Sequence, residues 1–138
     1  MQIGMALMTI AILQYTVIPL FADLNRTHAA NPEWPGHARN HLVTQVLTTS
    51  ALGLSALYFL WSGRVSDELG VCIAVILSTV ALVPFFISSL ASPIFGGQMT
   101  PVRRGLGSIQ IGCIEGNLAN FGLSVVLLIL GRLTLLFT

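Results

Sequence analysis

The polar residues best suited to chemistry are concentrated in one short segment, residues 23–41. All three histidines of the chain lie there among carboxylates, amides and arginines: Asp23, Asn25, Arg26, His28, Asn31, Glu33, His37, Arg39, Asn40 and His41. Imidazole and carboxylate groups can transfer protons, and the same groups can bind a divalent transition metal. Two prolines and a glycine, Pro32, Pro35 and Gly36, stiffen the segment, which suits a preorganised site better than a flexible linker.

The last two histidines are spaced by four residues at the entrance to an apolar run. In an α-helix this spacing places His37 and His41 on one face, where they can bind one metal ion together. Arg39 points the opposite way. Further polar residues continue the histidine face along the helix: Thr44, Gln45, Thr48 and Ser55. Because lipid offers no hydrogen-bond partners, this stripe is expected to face the bundle interior or a wet cavity.

A further carboxylate, Glu115, lies near the start of the last apolar run. If a helix begins at about residue 109, Glu115 shares a face with Gly112, Ala119 and Gly122, whose small side chains permit close helix contact. Glu115 is then expected to point into the bundle on the same side of the membrane as the histidines.

Together these residues predict a site where the first and third loops meet the membrane. The predicted catalytic residues are Asp23, His28, His37, His41 and Glu115. The predicted metal ligands are His28, His37 and His41, and the predicted substrate-binding residues are Asn25, Trp34, Arg39 and Gln45. Two alternatives stay open: acid–base chemistry without a metal, and histidines that only cap and hydrogen-bond a folded loop.

The elements that must position this site are unusually apolar. Charged residues make up 8% of the 138 residues, hydrophobic residues make up 54%, and the mean hydropathy is +0.86. Six arginines and five carboxylates cannot coat the surface of a soluble domain of this size. The net charge of +1 leaves no basic field for nucleic acid, so that class of partner is excluded.

Four apolar runs account for most of the chain: residues 3–21, 42–61, 69–90 and 109–131. Each is close to the roughly 20 residues that a helix needs to cross the hydrocarbon core. The sequence therefore predicts an all-α integral membrane protein, a four-helix transmembrane bundle forming a single domain over residues 1–138. The lipid bilayer is its first expected partner.

Arginine counts predict the orientation of the bundle. The side with loops 1 and 3 carries Arg26, Arg39, Arg103 and Arg104, and the other side carries Arg64 and Arg132. The positive-inside rule then places loops 1 and 3 in the cytoplasm. The membrane is expected to be a bacterial inner membrane or a eukaryotic endomembrane.

The first loop also carries a motif. The segment resembles the signature Asp-x-Asn-x-Thr-His-x2-Asn-Pro-x-Trp-Pro-x-His-Ala-Arg-x-His of a family of small, functionally uncharacterised four-helix membrane proteins in bacteria and fungi. The matching residues are Asp23, Asn25, Thr27, His28, Asn31, Pro32, Trp34, Pro35, His37, Ala38, Arg39 and His41. The resemblance implies that this segment is the family's signature, but it implies no reaction.

Two functions from different classes fit these features. The first is a small membrane-embedded enzyme that acts on a lipophilic small molecule through the His/carboxylate site. The alternative is a non-catalytic binding module, accessory subunit or transporter component. The crowding of ionisable residues at one membrane face favours a site over a conduction path. Self-association as a homo-oligomer stays open.

Overall fold

A computed structural model describes residues 2–97, 110–111 and 114–137, which form four α-helices and one short two-stranded ribbon. The helices are α1 (Gln2–Asp23), α2 (Gly36–Trp61), α3 (Asp67–Phe95) and α4 (Gly116–Leu136). The strands β1 (Gln110–Ile111) and β2 (Ile114–Glu115) pair antiparallel. All four helices are long and apolar enough to span a membrane, which confirms the predicted all-α, four-helix class.

The second and third helices are longer than the apolar runs that predicted them. α2 begins at Gly36 instead of residue 42, directly after Pro35, so His37 and His41 belong to the helix itself. α3 extends past residue 90 to Phe95. It ends there because Gly96 adopts a left-handed backbone with φ 69°, a conformation that glycine accepts without steric cost.

The fourth helix is displaced from the predicted run at 109–131. It begins at Gly116 because Glu115 is its N-cap: the Glu115 Oε2 accepts a hydrogen bond from the Leu118 backbone N–H at 3.0 Å. Glu115 therefore precedes the helix and does not share a helical face with Ala119. Residue 109 and Gly112 lie outside the described residues, as do Arg103 and Arg104, on which the predicted orientation partly rests.

Helix α1 is the centre of the packing, with α2 and α4 against it and α3 against α2. Backbones approach closely at glycines: a Cβ at Gly53 of α2 would collide with the Thr16 hydroxyl of α1. Polar contacts also join the helices, between α1 and α2 and between α1 and α3. The Ser50 hydroxyl donates to the Thr16 carbonyl at 2.9 Å, and the Tyr15 and Ser78 hydroxyls lie 2.9 Å apart. By contrast, α3 and α4 touch only weakly, and cavities open along the seam between them.

Candidate functional site

A cavity of about 410 Å³ lies where the first loop meets the seam between α3 and α4. All four helices and the first loop contribute to its wall: Pro19, Asp23, His28, Trp34, Leu42, Gln45, Val46, Thr49, Phe85, Ser88, Ser89, Ser92, Phe95, Gly97, Asn117 and Phe121. Four of the predicted site residues, Asp23, His28, Trp34 and Gln45, therefore share one wall. The cavity combines an aromatic, apolar lining with a few polar groups, as small-molecule sites commonly do.

The first loop is held in shape by an amide at its start. The Asn25 Nδ2 donates to the carbonyl oxygens of Phe21 and Ala22, at 3.0 and 2.7 Å, which satisfies the open end of α1. The Asn25 Oδ1 accepts hydrogen bonds from the Thr27 backbone N–H at 2.8 Å and from the Thr27 hydroxyl at 2.6 Å. Asn25 thus caps the helix and orients Thr27, and it does not line the cavity.

This arrangement fixes the tautomer of the neutral His28 ring. The Thr27 hydroxyl lies 2.8 Å from the His28 Nδ1, but its single hydrogen is already donated to Asn25. In the neutral ring, Nδ1–H must therefore be the donor to Thr27, which leaves Nε2 as the nitrogen that can accept a proton. Trp34 packs edge-on against the imidazole, with ring centroids 5.5 Å apart, and fixes its orientation from the other side.

Asp23, the last residue of α1, is the acidic member of the site. It is half-buried on the cavity wall and interacts electrostatically with His28 and Glu115. The interaction of the Asp23 carboxylate with His28 is attractive, whereas its interaction with the Glu115 carboxylate is repulsive. Glu115 lies close enough for this interaction, but it caps α4 and is not part of the cavity wall.

Three hydroxyl groups of α3 also line the cavity, and the sequence did not predict them. Ser88 and Ser89 both donate to the Phe85 carbonyl, at 2.9 and 2.7 Å, and Ser92 donates to the Ser89 carbonyl at 2.8 Å. Because their hydrogens are used within the helix, these hydroxyl groups can serve a bound molecule only as acceptors. The signal was present in the sequence as three serines within one turn of an apolar run, but nothing there linked them to the first loop.

Two amides complete the polar wall. Gln45 of α2 and Asn117 of α4 line the cavity, and neither makes a hydrogen bond to another described residue. Both side chains can therefore donate to and accept from a bound molecule. Gln45 was predicted as a substrate-binding residue, whereas Asn117 was not.

His37 and His41 lie on an exposed face of α2, outside the cavity. Their Nε2 atoms are 2.9 Å apart, as the helical spacing predicts, but both side chains are exposed and outside the cavity wall. In the described part of the chain, no group of three or more His, Cys, Asp or Glu side chains is placed to hold a metal ion. The predicted three-histidine metal site is therefore not supported, because helical phase turns His37 and His41 away from His28.

The rest of the predicted polar stripe follows the same face. Thr44, Thr48 and Ser55 are exposed and do not line the cavity, so for these three residues the expected position in the bundle interior is wrong, whereas Gln45 of the same stripe lines the cavity. Gln45 reaches the cavity because it is rotated by about 80° from His37 around the helix axis. Arg39 is half-buried, and it is not part of the cavity wall. Its Nε atom has no hydrogen-bond partner among the described residues.

Comparison of the chain with family models, with curated proteins and with solved structures gives no match.

Proposed function

We propose that this chain is a small membrane-embedded enzyme that binds a lipophilic small molecule in the loop-1 cavity and acts on it through His28 and Asp23. The observation that carries the proposal is the shared wall: an imidazole and a carboxyl group, His28 and Asp23, line the same cavity of about 410 Å³ as the aromatic rings of Phe85 and Phe121. A volume of this size lies within the range of about 300–1,000 Å³ common for small-molecule sites.

The residues support proton transfer as the chemistry. The His28 Nε2 can take a proton from an acidic C–H or O–H of the bound molecule, and Asp23 stabilises the resulting imidazolium. The same nitrogen can return the proton to another atom of that molecule. Such an isomerisation is balanced without a further reactant, and it needs no metal ion.

The cavity also favours a particular kind of molecule. Apolar rings on α3 and α4 suit a hydrocarbon or aromatic body, which can enter from the bilayer through the weakly packed seam. The amides of Gln45 and Asn117 and the serine oxygens suit one polar end with both donors and acceptors. We place this end of the bundle, which carries Arg26 and Arg39, on the cytoplasmic side.

A non-catalytic binding module is the second candidate. It is favoured by the loop, whose amide and hydroxyl groups at Asn25 and Thr27 are used to fold the chain and not to contact a ligand. On this alternative, His28 and Asp23 bind the polar end of the molecule and transfer no proton. The two functions differ in what a His28→Gln variant does, because glutamine can hydrogen-bond but cannot act as a base at neutral pH.

The test uses the compounds that co-purify with the protein in detergent, identified by mass spectrometry of an organic extract. Thr49 lines the cavity and its neighbour Thr48 is exposed outside it, so T49W fills the cavity while T48W is a matched control about 100° further around the helix. We expect a compound that is retained by the wild type and by T48W and lost from T49W.

That compound is then incubated with the wild type and with H28Q. Conversion by the wild type and none by H28Q supports the enzyme, whereas retention without conversion by either protein supports the binding module. Equal retention by T49W and T48W, with both variants folded by circular dichroism, would contradict both functions.

A further inference from the structure

A second cavity, of about 370 Å³, lies along the other half of the seam between α3 and α4. Its wall is built from aliphatic and aromatic side chains of both helices, among them Leu82, Phe86, Leu128 and Ile129. One charged residue, Arg132, also lines it. The cavity is therefore an apolar groove with a single cation.

Arg132 is the only ionisable residue within α4 (Gly116–Leu136). It is half-buried and makes no ion pair or hydrogen bond with another described residue. A guanidinium group in a largely apolar wall is costly unless an anion accompanies it. The structure thus provides a positive charge whose partner is not supplied by the described part of the chain.

The position of the charge along the groove indicates the shape of that partner. Arg132 is four residues from the end of α4, where its side chain can reach the headgroup layer. From Arg132 the groove runs back to Val125, about 10 Å along the helix towards the middle of the bilayer. A molecule with an anionic group at the membrane surface and a hydrocarbon chain below it matches this order of a cation followed by an apolar wall.

We infer that this groove binds a phospholipid with a net negative headgroup, with the phosphate at Arg132 and one acyl chain between α3 and α4. Charge complementarity and the order of groups along the groove select this occupant. The carboxylates that the described helices carry at this end of the bundle, Asp67 and Glu68, lie in the first turn of α3 and are not part of the groove wall, whereas a phospholipid brings both an anion for Arg132 and a chain for the apolar wall. The inference is independent of the function proposed for the loop-1 cavity.

The test measures lipid retention by native mass spectrometry of the whole chain in a neutral detergent. Phosphatidylglycerol and phosphatidylcholine with identical acyl chains are added separately, and inorganic phosphate is added in a third arm. We expect phosphatidylglycerol to be bound about tenfold more strongly than phosphatidylcholine, the effect of roughly one charge-assisted hydrogen bond. Inorganic phosphate alone should not displace it.

Matched variants locate the site. R132Q should lose about tenfold in phosphatidylglycerol affinity, whereas R64Q, an exposed arginine on the same side of the membrane, should match the wild type. I129W should fill the groove and prevent retention, whereas L130W, on a different face of α4, should not. R132K keeps the charge and should retain most of the preference, which separates loss of binding from loss of fold.

Several results would overturn the inference. The first three are equal binding of the two lipids, equal losses of phosphatidylglycerol affinity in R132Q and R64Q, and displacement of phosphatidylglycerol by inorganic phosphate alone. The fourth is a dimer that retains no lipid and that I129W abolishes. None of these results bears on His28 or Asp23, so failure here leaves the proposed function standing.

Discussion

The two faces of helix α2 differ in composition and in surroundings. The inward face is buried and consists of small and apolar residues: Val46, Ser50, Gly53, Ala56 and Leu60. The outward face is exposed and carries most of the polar residues: His37, His41, Thr44, Thr48 and Ser55. In a membrane bundle, therefore, polarity alone does not mark the face that points inwards. Close packing selects small residues, and a hydroxyl enters the interior only where it has a partner.

The largest expected difference is between the histidine of the cavity, His28 in the first loop, and the exposed histidines on the outward face of α2. H28A removes the cavity base, so turnover of the compound recovered from the cavity should fall by about 10²- to 10⁴-fold. H41A changes the exposed pair and should leave turnover unchanged. Single-turnover assays at matched concentrations of folded protein compare the two. Equal losses in both variants would mean that the outward face takes part in the chemistry.

A substitution on the inward face should strongly affect stability. In G53V the added side chain would collide with the Thr16 hydroxyl and crowd the Tyr15 ring, whose Cε2 lies 3.0 Å from the position of the new Cβ. Overpacking of this kind lowers the free energy of unfolding by about 1–3 kcal/mol. On the outward face, S55V should change it by about 0.5 kcal/mol or less. Denaturant titration in detergent measures both, and a stable G53V would show that α1 and α2 can separate without cost.

A smaller effect is expected from the hydroxyl of the inward face. S50A removes the hydrogen bond from Ser50 to the Thr16 carbonyl and should lower the free energy of unfolding by about 1 kcal/mol. T48A deletes a similar group from the outward face, where lipid or water replaces it, and should be nearly neutral. The same titration ranks the two variants, and the reverse order would mean that the faces are assigned the wrong way round.

The smallest expected effect is on the His37–His41 pair. Its Nε2 atoms are 2.9 Å apart on an exposed face, and exposed pairs at this helical spacing contribute about 0.2–0.5 kcal/mol. H37A should therefore lower the free energy of unfolding by no more than this, at neutral pH. A loss of several kcal/mol would indicate that the pair is buried in an assembly of chains.

The sequence is sufficient to predict the helices and part of the site. Charge-free runs predict four helices because crossing hydrocarbon requires length and apolarity, and the helical spacing correctly predicts that His37 and His41 meet. The cap at Glu115 was not predicted, since a carboxylate before a helix and one inside its first turn look alike in a sequence. Recognising the cap would have placed the start of α4.

The composition of the cavity wall could not be predicted for a different reason. The wall depends on which face of α3 and α4 meets the first loop, and the contacts that set this rotation join residues far apart in the chain. Ser89 and Asn117 therefore could not be connected to His28, although each stands out as polar in its own run. The rotation of α2 about its axis, which keeps His37 out of the cavity wall, could not be predicted for the same reason.

Carbethoxylation of the three histidines, followed residue by residue with peptide mass spectrometry, compares the cavity and the outward face of α2 directly. We predict fast modification of the exposed His37 and His41 and slower modification of the half-buried His28. T49W, which fills the cavity, should slow His28 further and leave the other two unchanged, and T48W should slow none of them. Modification of all three histidines at one rate, or a His28 rate unaffected by T49W in a folded protein, would contradict the placement of His28 in the cavity.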